Sequence, residues 1–109
     1  MQHKLTLPQL KKYDITQKVI EALADAESRA IIFTTVRKGK TAYDLAETLK
    51  IPLSSVYKKL TDLENLTLIQ VEKYMTTDSG RRLKIYRSRI KKAAIIIKSK
   101  EPEIQLSAN

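Results

Sequence analysis

Apolar residues recur at helical spacing through the first two thirds of the chain and change to alternation near residue 68. Asp14-Ile15-Thr16-Gln17 sets a capping residue three positions before a Gln, a pattern that starts helices. Val19, Ile20 and Leu23 follow on one face, which predicts a first helix over about 15–24. Asp25 opens a second one, with Glu27 in the first turn where the helix dipole favours negative charge. Arg37 and Lys38 suit its last turn and Gly39 its stop, so it is expected to reach about Lys38. Within it, Ile31-Ile32-Phe33-Thr34-Thr35-Val36 is β-branched and aromatic and alone reads as strand. The signals at both ends, and the next segment's need for a packing surface, favour helix.

Thr41-Ala42-Tyr43-Asp44 is another capping box, with Asp in the acidic position. Leu45, Ala46 and Leu49 continue it until Pro52, which ends the helix near Lys50. A further helix over about 53–65 carries Val56, Leu60 and Leu63 at i, i+4 and i+7, a single buried stripe. From Leu66 the pattern alternates, with Ile69 and Val71 on one face and Gln70 and Glu72 on the other. Thr76-Thr77-Asp78-Ser79-Gly80 is a turn cluster, and Leu83 and Ile85 alternate after it. Residues of about 68–88 therefore read as a β-hairpin with a basic second strand. A second hairpin is expected over about 93–99 and 103–107, and Leu5-Thr6-Leu7 is expected to pair with it.

Composition narrows the chemistry. With 109 residues the chain has room for one modest core. Its 42% apolar and 30% charged residues are globular values. There is no Cys, which removes disulfide scaffolds, thiolate metal sites and Cys nucleophiles. Two glycines do not make a phosphate-cradling loop. The one His, His3, has no partner for metal binding in the sequence. Asp44 with Glu47, and Asp62 with Glu64, read as a cap and solvated helix faces, so no catalytic or metal residue is assigned and no enzyme or cofactor is expected. The longest apolar run, Ala93–Ile97, is far short of the roughly 20 residues that span a bilayer. The start MQHKLTLPQL lacks the layout of a signal peptide. A cytoplasmic protein at the nucleoid, without membrane partners, is the expectation.

The net charge of +9 is uneven. Residues 1–20 carry +3, residues 21–50 balance, residues 51–78 come to −1, and residues 79–109 hold +7. So local an excess favours nucleic acid as partner over a merely solvated tail.

Two helices joined by a short turn, the second packed by one stripe, form a helix-turn-helix unit whose other face is free for a major groove. That face offers Ser54, Ser55, Tyr57, Lys58 and Thr61, with Lys59 beside it, and Leu53 is a candidate for contact with a thymine methyl. Arg81, Arg82 and Lys84 put cations on the hairpin. Tyr43, Tyr74 and Tyr86 read as packing residues.

The run Thr41 to Leu60 resembles winged helix-turn-helix regulators of the ArsR-like and MarR-like kind. The likeness continues through Leu63-Glu64-Asn65-Leu66-Thr67-Leu68-Ile69 and the wing Asp78-Ser79-Gly80-Arg81-Arg82, and upstream through Ala22 to Arg29. It covers residues 14–88. The resemblance implies an α+β, helix-dominated winged helix with Ser54, Ser55, Tyr57 and Lys58 against DNA, and with Arg81 and Arg82 on phosphate or in a minor groove. Two departures stand out. Lys50 occupies the turn position where such proteins usually have Gly; a left-handed Lys there costs about 1 kcal/mol. The segment Ala42-Tyr43-Asp44-Leu45 lacks the cysteines of thiolate metal sensors, which excludes that mode of sensing; no effector is assigned in its place.

The resulting expectation is an arm over 1–13, a DNA-binding domain over 14–90 and a basic, apolar extension over 91–109. The function expected is a sequence-specific regulator binding double-stranded DNA as a homodimer, with Ala93–Ile97 as the self-association surface. The competing readings are an architectural protein that coats DNA without sequence choice, and a winged helix that binds a protein partner within a transcription complex.

Overall fold

The computed structural model describes residues 7–98 and 100–109, with side chains from Ile15 onward. Four helices precede four strands: α1 (Leu7–Ala24), α2 (Ala26–Thr34), α3 (Ala42–Leu49), α4 (Leu53–Asn65), β1 (Ile69–Thr76), β2 (Arg82–Ser88), β3 (Ile90–Ile96) and β4 (Glu103–Ala108). The strands make two separate antiparallel hairpins, β1–β2 and β3–β4. The α+β class and the second hairpin are as expected, though β3 begins at Ile90, three residues early.

Two helices have different limits from those the pattern suggests. α1 already starts at Leu7, so the Asp14–Gln17 box lies inside it and residues 7–13, expected as an arm, are helical. Pro8 falls in its first turn, where the missing N–H has no helical acceptor to lose. Leu5 and Thr6, expected to pair with the C-terminal strand, lie outside the described residues, and Leu7 opens the helix.

α2 starts as expected, with the Asp25 carboxylate accepting from Ser28 N at 3.0 Å and Ser28 Oγ at 2.7 Å. It stops at Thr34, not at Lys38. The β-branched end of the run leaves the helix because β2 offers other partners. Ser88 N donates to Thr35 O at 3.1 Å, Arg87 Nε to Val36 O at 3.0 Å, and Lys40 and Tyr86 exchange backbone bonds at 2.9 and 2.8 Å. Gly39 is thus no helix stop. It lets backbones approach: a Cβ there would lie 2.5 Å from Ile85 Cγ2 and 3.2 Å from Tyr86 O.

α3 and α4 follow the sequence closely. Both capping-box bonds form, Asp44 N to Thr41 Oγ1 at 3.0 Å and Thr41 N to the Asp44 carboxylate at 3.2 Å. Lys50 ends α3 in the left-handed region with φ 55°. Val56, Leu60 and Leu63 face inward, each at most 1% exposed. Fully burying such a side chain stabilises the fold by about 1.5–3 kcal/mol.

The core gathers one contribution from almost every element: Val19 of α1, Ile31 and Ile32 of α2, Leu45 of α3, the α4 stripe, Ile69 of β1, Tyr86 of β2 and Ile90 of β3. Polar groups drawn inside are satisfied locally. Thr35 Oγ1 donates within its own helix turn to Ile31 O and Ile32 O, at 2.9 and 3.1 Å, and Ser88 Oγ donates to Ile90 O at 2.6 Å. Among the described residues no buried side-chain N or O lacks a partner.

In the first hairpin Ile69 pairs with Ser88 and Thr76 with Arg82, with a bulge between Val71 and Lys73. A bulge bends and twists a strand. Here Glu72 bonds Arg87 Nη1 at 2.8 Å, while Arg87 also reaches Val36. Ile85 and Tyr86, neighbours on β2, are both buried, because the 35–40 segment packs beside the strand. The strict alternation read from Leu83 and Ile85 therefore understates how much of β2 is covered. The second hairpin follows after Arg89 alone and pairs Ile90 with Ala108 and Ile96 with Glu103. Asn109 anchors its end: Nδ2 donates to Val36 O and Ser88 O, both at 2.9 Å.

Candidate nucleic-acid interface

α4 is amphipathic, and the residues opposite its buried stripe define the candidate surface. Ser54, Tyr57, Lys58 and Thr61 are exposed, and Ser55 is half-buried. Tyr57 is 42% exposed. Thr61 Oγ1 donates to Tyr57 O at 2.9 Å, which leaves its lone pairs and a rigid position on the outer face. The Lys58 ammonium forms no ion pair among the described residues. Hydroxyls, a phenol and an ammonium on one helix face can meet phosphates and base edges.

Lys59 is elsewhere. Its Nζ lies 2.7 Å from the Asp25 carboxylate and 3.6 Å from that of Glu27, so it ties α4 to the start of α2. The side chain is only 23% exposed. The sequence reading set it beside Lys58 on the DNA-facing surface; in the structure two carboxylates already hold its charge. The Lys59 hydrogen bond, with Ser28 assisting, pulls the Asp25 carboxyl down to about 2, and Asp25 in turn raises Lys59 above the ordinary lysine value.

The β1–β2 hairpin ends in a tight turn. Gly80 N donates to Thr77 O at 2.8 Å, Thr77 N to Arg81 O at 2.8 Å, and Arg81 N to Thr77 Oγ1 at 3.1 Å. Gly80 has φ 84°, a left-handed conformation that suits glycine. The two arginines that follow turn to different partners. Arg81 donates a hydrogen bond from Nη2 to the Tyr43 hydroxyl, and its guanidinium stands 5.0 Å from the Tyr43 ring centroid. Arg82 stacks over Tyr74 of β1, 3.9 Å from the ring centroid. Lys84 is exposed and lies directly across the ladder from Tyr74.

Tyr57 and Tyr43 adjoin one another. Burial raises the Tyr57 phenol above its ordinary value, and the neighbouring Tyr43, through its charge and a side-chain hydrogen bond, raises it further. The structure thus brings Tyr43 of α3, Tyr57 of α4 and Arg81 of the wing together, places Arg82 and Lys84 beside Tyr74, and pairs Lys59 with the acids at the start of α2. Tyr43 and Tyr74 were read from the sequence as packing residues. Their roles as guanidinium seats depend on partners 38 and 8 positions away, at spacings that carry no local signal. Tyr86, 5% exposed, is a packing residue.

No helix among the described residues is long and apolar enough to cross a membrane. No protein-family model and no curated protein matches the chain. Among solved structures it is similar to NolR from Sinorhizobium fredii, with a TM-score of 0.60 at 16% identity, covering 80% of this chain and 81% of that one. The chain has the winged helix-turn-helix fold, with α3 and α4 as the helix pair, β1–β2 as the wing and β3–β4 as a further hairpin.

Proposed function

We propose that this protein is a sequence-specific, double-stranded DNA-binding transcriptional regulator. α4 enters the major groove with Ser54, Ser55, Tyr57, Lys58 and Thr61, while Arg81, Arg82 and Lys84 of the wing engage the backbone or minor groove beside it. The observation that carries this reading is the division of α4: an inner stripe no more than 1% exposed, and an outer face of hydroxyls, phenol and ammonium. A helix held by one stripe is rigid, and its free face has the chemistry of base and phosphate contact.

The proposed regulator acts as a homodimer in the cytoplasm, at the nucleoid. Support for self-association comes from Phe33, Ile95, Ile97 and Leu106, 67%, 47%, 79% and 43% exposed, a large apolar display for so small a chain. Two-fold symmetry then requires an inverted-repeat site with half-sites about 10–10.5 bp apart or a multiple of that.

Selection of bound duplexes from a random pool at moderate salt tests the proposal, with sedimentation to read the oligomer. An enriched inverted repeat is expected. If the dimer neutralises about 6–10 phosphates, log K falls against log salt with a slope of about −5 to −9. Strong recovery without any motif would shift the reading to an architectural DNA-coating protein. Absence of duplex binding would leave the protein-interaction reading.

A further inference from the structure

The wing tip is joined to the helix pair by a contact that the fold does not require. The buried side of α3 carries Ala42 and Leu45, at most 3% exposed. Tyr43 sits half-buried next to them, and its hydroxyl and ring both meet Arg81. The guanidinium is held twice. Its backbone is set by the Thr77 bonds at the turn, and its side chain by Tyr43. Arg82, one residue on, has a different seat on Tyr74.

A guanidinium already held by a hydroxyl has less freedom to lose when it meets a phosphate, and three or more of its N–H groups remain available after that one bond. The guanidinium lies towards the hydroxyl edge of the Tyr43 ring, so the hydroxyl bond is what holds it. That bond keeps Arg81 close enough to the neighbouring Tyr57 phenol of the recognition helix for its charge to be felt there.

We propose that Tyr43 is a positioning residue that seats Arg81 of the wing beside the recognition helix, so that α4 and the wing meet one duplex as a single surface. This inference rests on the duplex-binding function proposed above. It divides the wing arginines into one docked on the helix pair and one carried by the hairpin itself. It also makes an uncharged residue on α3 control how many phosphates the protein neutralises.

The test is a double-mutant cycle on the selected duplex across a range of salt concentrations, using Tyr43→Phe, Tyr43→Ala, Arg81→Ala and the combined variants. Arg81→Ala is expected to weaken binding about tenfold and to flatten the salt slope by about 0.9 for each bound protomer. Tyr43→Ala, which changes no charge, is expected to flatten the slope by the same amount. In the Arg81→Ala background it is expected to cost less than twofold. Tyr43→Phe removes the hydroxyl that holds the guanidinium and keeps the ring's packing on the fold, so it is expected to flatten the slope in the same direction and serves as the informative variant should the alanine form melt early. An undiminished salt slope in both Tyr43 variants, or losses that simply multiply with that of Arg81→Ala, would overturn the role of Tyr43 alone. Wild-type protein that binds no duplex would overturn the DNA-binding function, and this role with it.

Discussion

Lys59 offers the sharpest separation of a structural cation from a DNA-contacting one. It neighbours Lys58 in sequence, yet its ammonium lies 2.7 Å from Asp25 and 3.6 Å from Glu27 on another helix. Lowering the Asp25 carboxyl from 3.8 to about 2 would correspond to roughly 2.5 kcal/mol at a dry site. Asp25 is 41% exposed, and part of the lowering comes from Ser28, so screening and sharing reduce what Lys59 supplies to about 1 kcal/mol.

Lys59→Met keeps the length of the stem and removes the charge. It is expected to lower the melting temperature at pH 7 by about 4 °C, with unfolding followed by circular dichroism. The pH dependence identifies the cause. A carboxyl held low in the folded state stabilises above its unfolded value of 3.8, and that stability is lost as pH falls towards about 2. The deficit of Lys59→Met should therefore be full at pH 5 and largely gone by about pH 2. Asp25→Asn is the partner variant, because an amide oxygen still caps α2 while the charge is absent; Lys59→Met should cost less in that background. Duplex affinity and salt slope should be nearly unchanged in Lys59→Met. Lys58→Ala should do the reverse, leaving melting alone and costing about 1–3 kcal/mol on the preferred site. A Lys59→Met protein that melts like wild type at pH 7, or whose deficit persists undiminished at pH 2, would refute the tether. So would a loss of DNA binding as large as that of Lys58→Ala.

Lys50 holds φ 55° at the end of α3, so Lys50→Gly should stabilise the protein by about 0.5–1 kcal/mol in urea unfolding, net of glycine's greater freedom in the unfolded chain. Gly39→Ala should destabilise it by about 1–3 kcal/mol in the same assay, because the new methyl would press on Ile85 and on the Tyr86 carbonyl.

The parts of the fold legible in the sequence are those whose partners lie within one helical turn or one register step. Thr41 and Asp44 cap each other across three positions, and Val56, Leu60 and Leu63 share a face by periodicity alone; both appear in the structure as read. Pro52 turns Ile51 out of the helical region and so ends α3 near Lys50, whereas the left-handed backbone at Lys50 itself is anticipated only through the family resemblance. The 35–40 segment is different. Its basic residues and Gly39 imitate a helix end, but Thr35, Val36 and Lys40 are drawn off by Ser88, Arg87 and Tyr86, some fifty residues later. Helix propensity at β-branched residues is too weak to resist such bonds. The start of α1 misleads in the opposite sense, because a sound capping box at Asp14 is passed over by a helix already under way.

The same distinction governs the candidate interface. Counting charges along the chain makes Lys58 and Lys59 equivalent, and Arg81 and Arg82 a pair. Folding gives each a different electrostatic setting through residues elsewhere in the chain: Asp25 for Lys59, Tyr43 for Arg81, Tyr74 for Arg82, and, among the described residues, no paired acid for Lys58. A cation paired in the free protein releases no counterions when DNA arrives, because its counter-charge is already a carboxylate. The salt slope therefore reports the cations that folding leaves without carboxylates, a smaller number than the formal charge of +9 would suggest. Measuring it for Lys58→Ala and Lys59→Met side by side would show whether two adjacent lysines have been given separate work by helices that meet only in the folded chain.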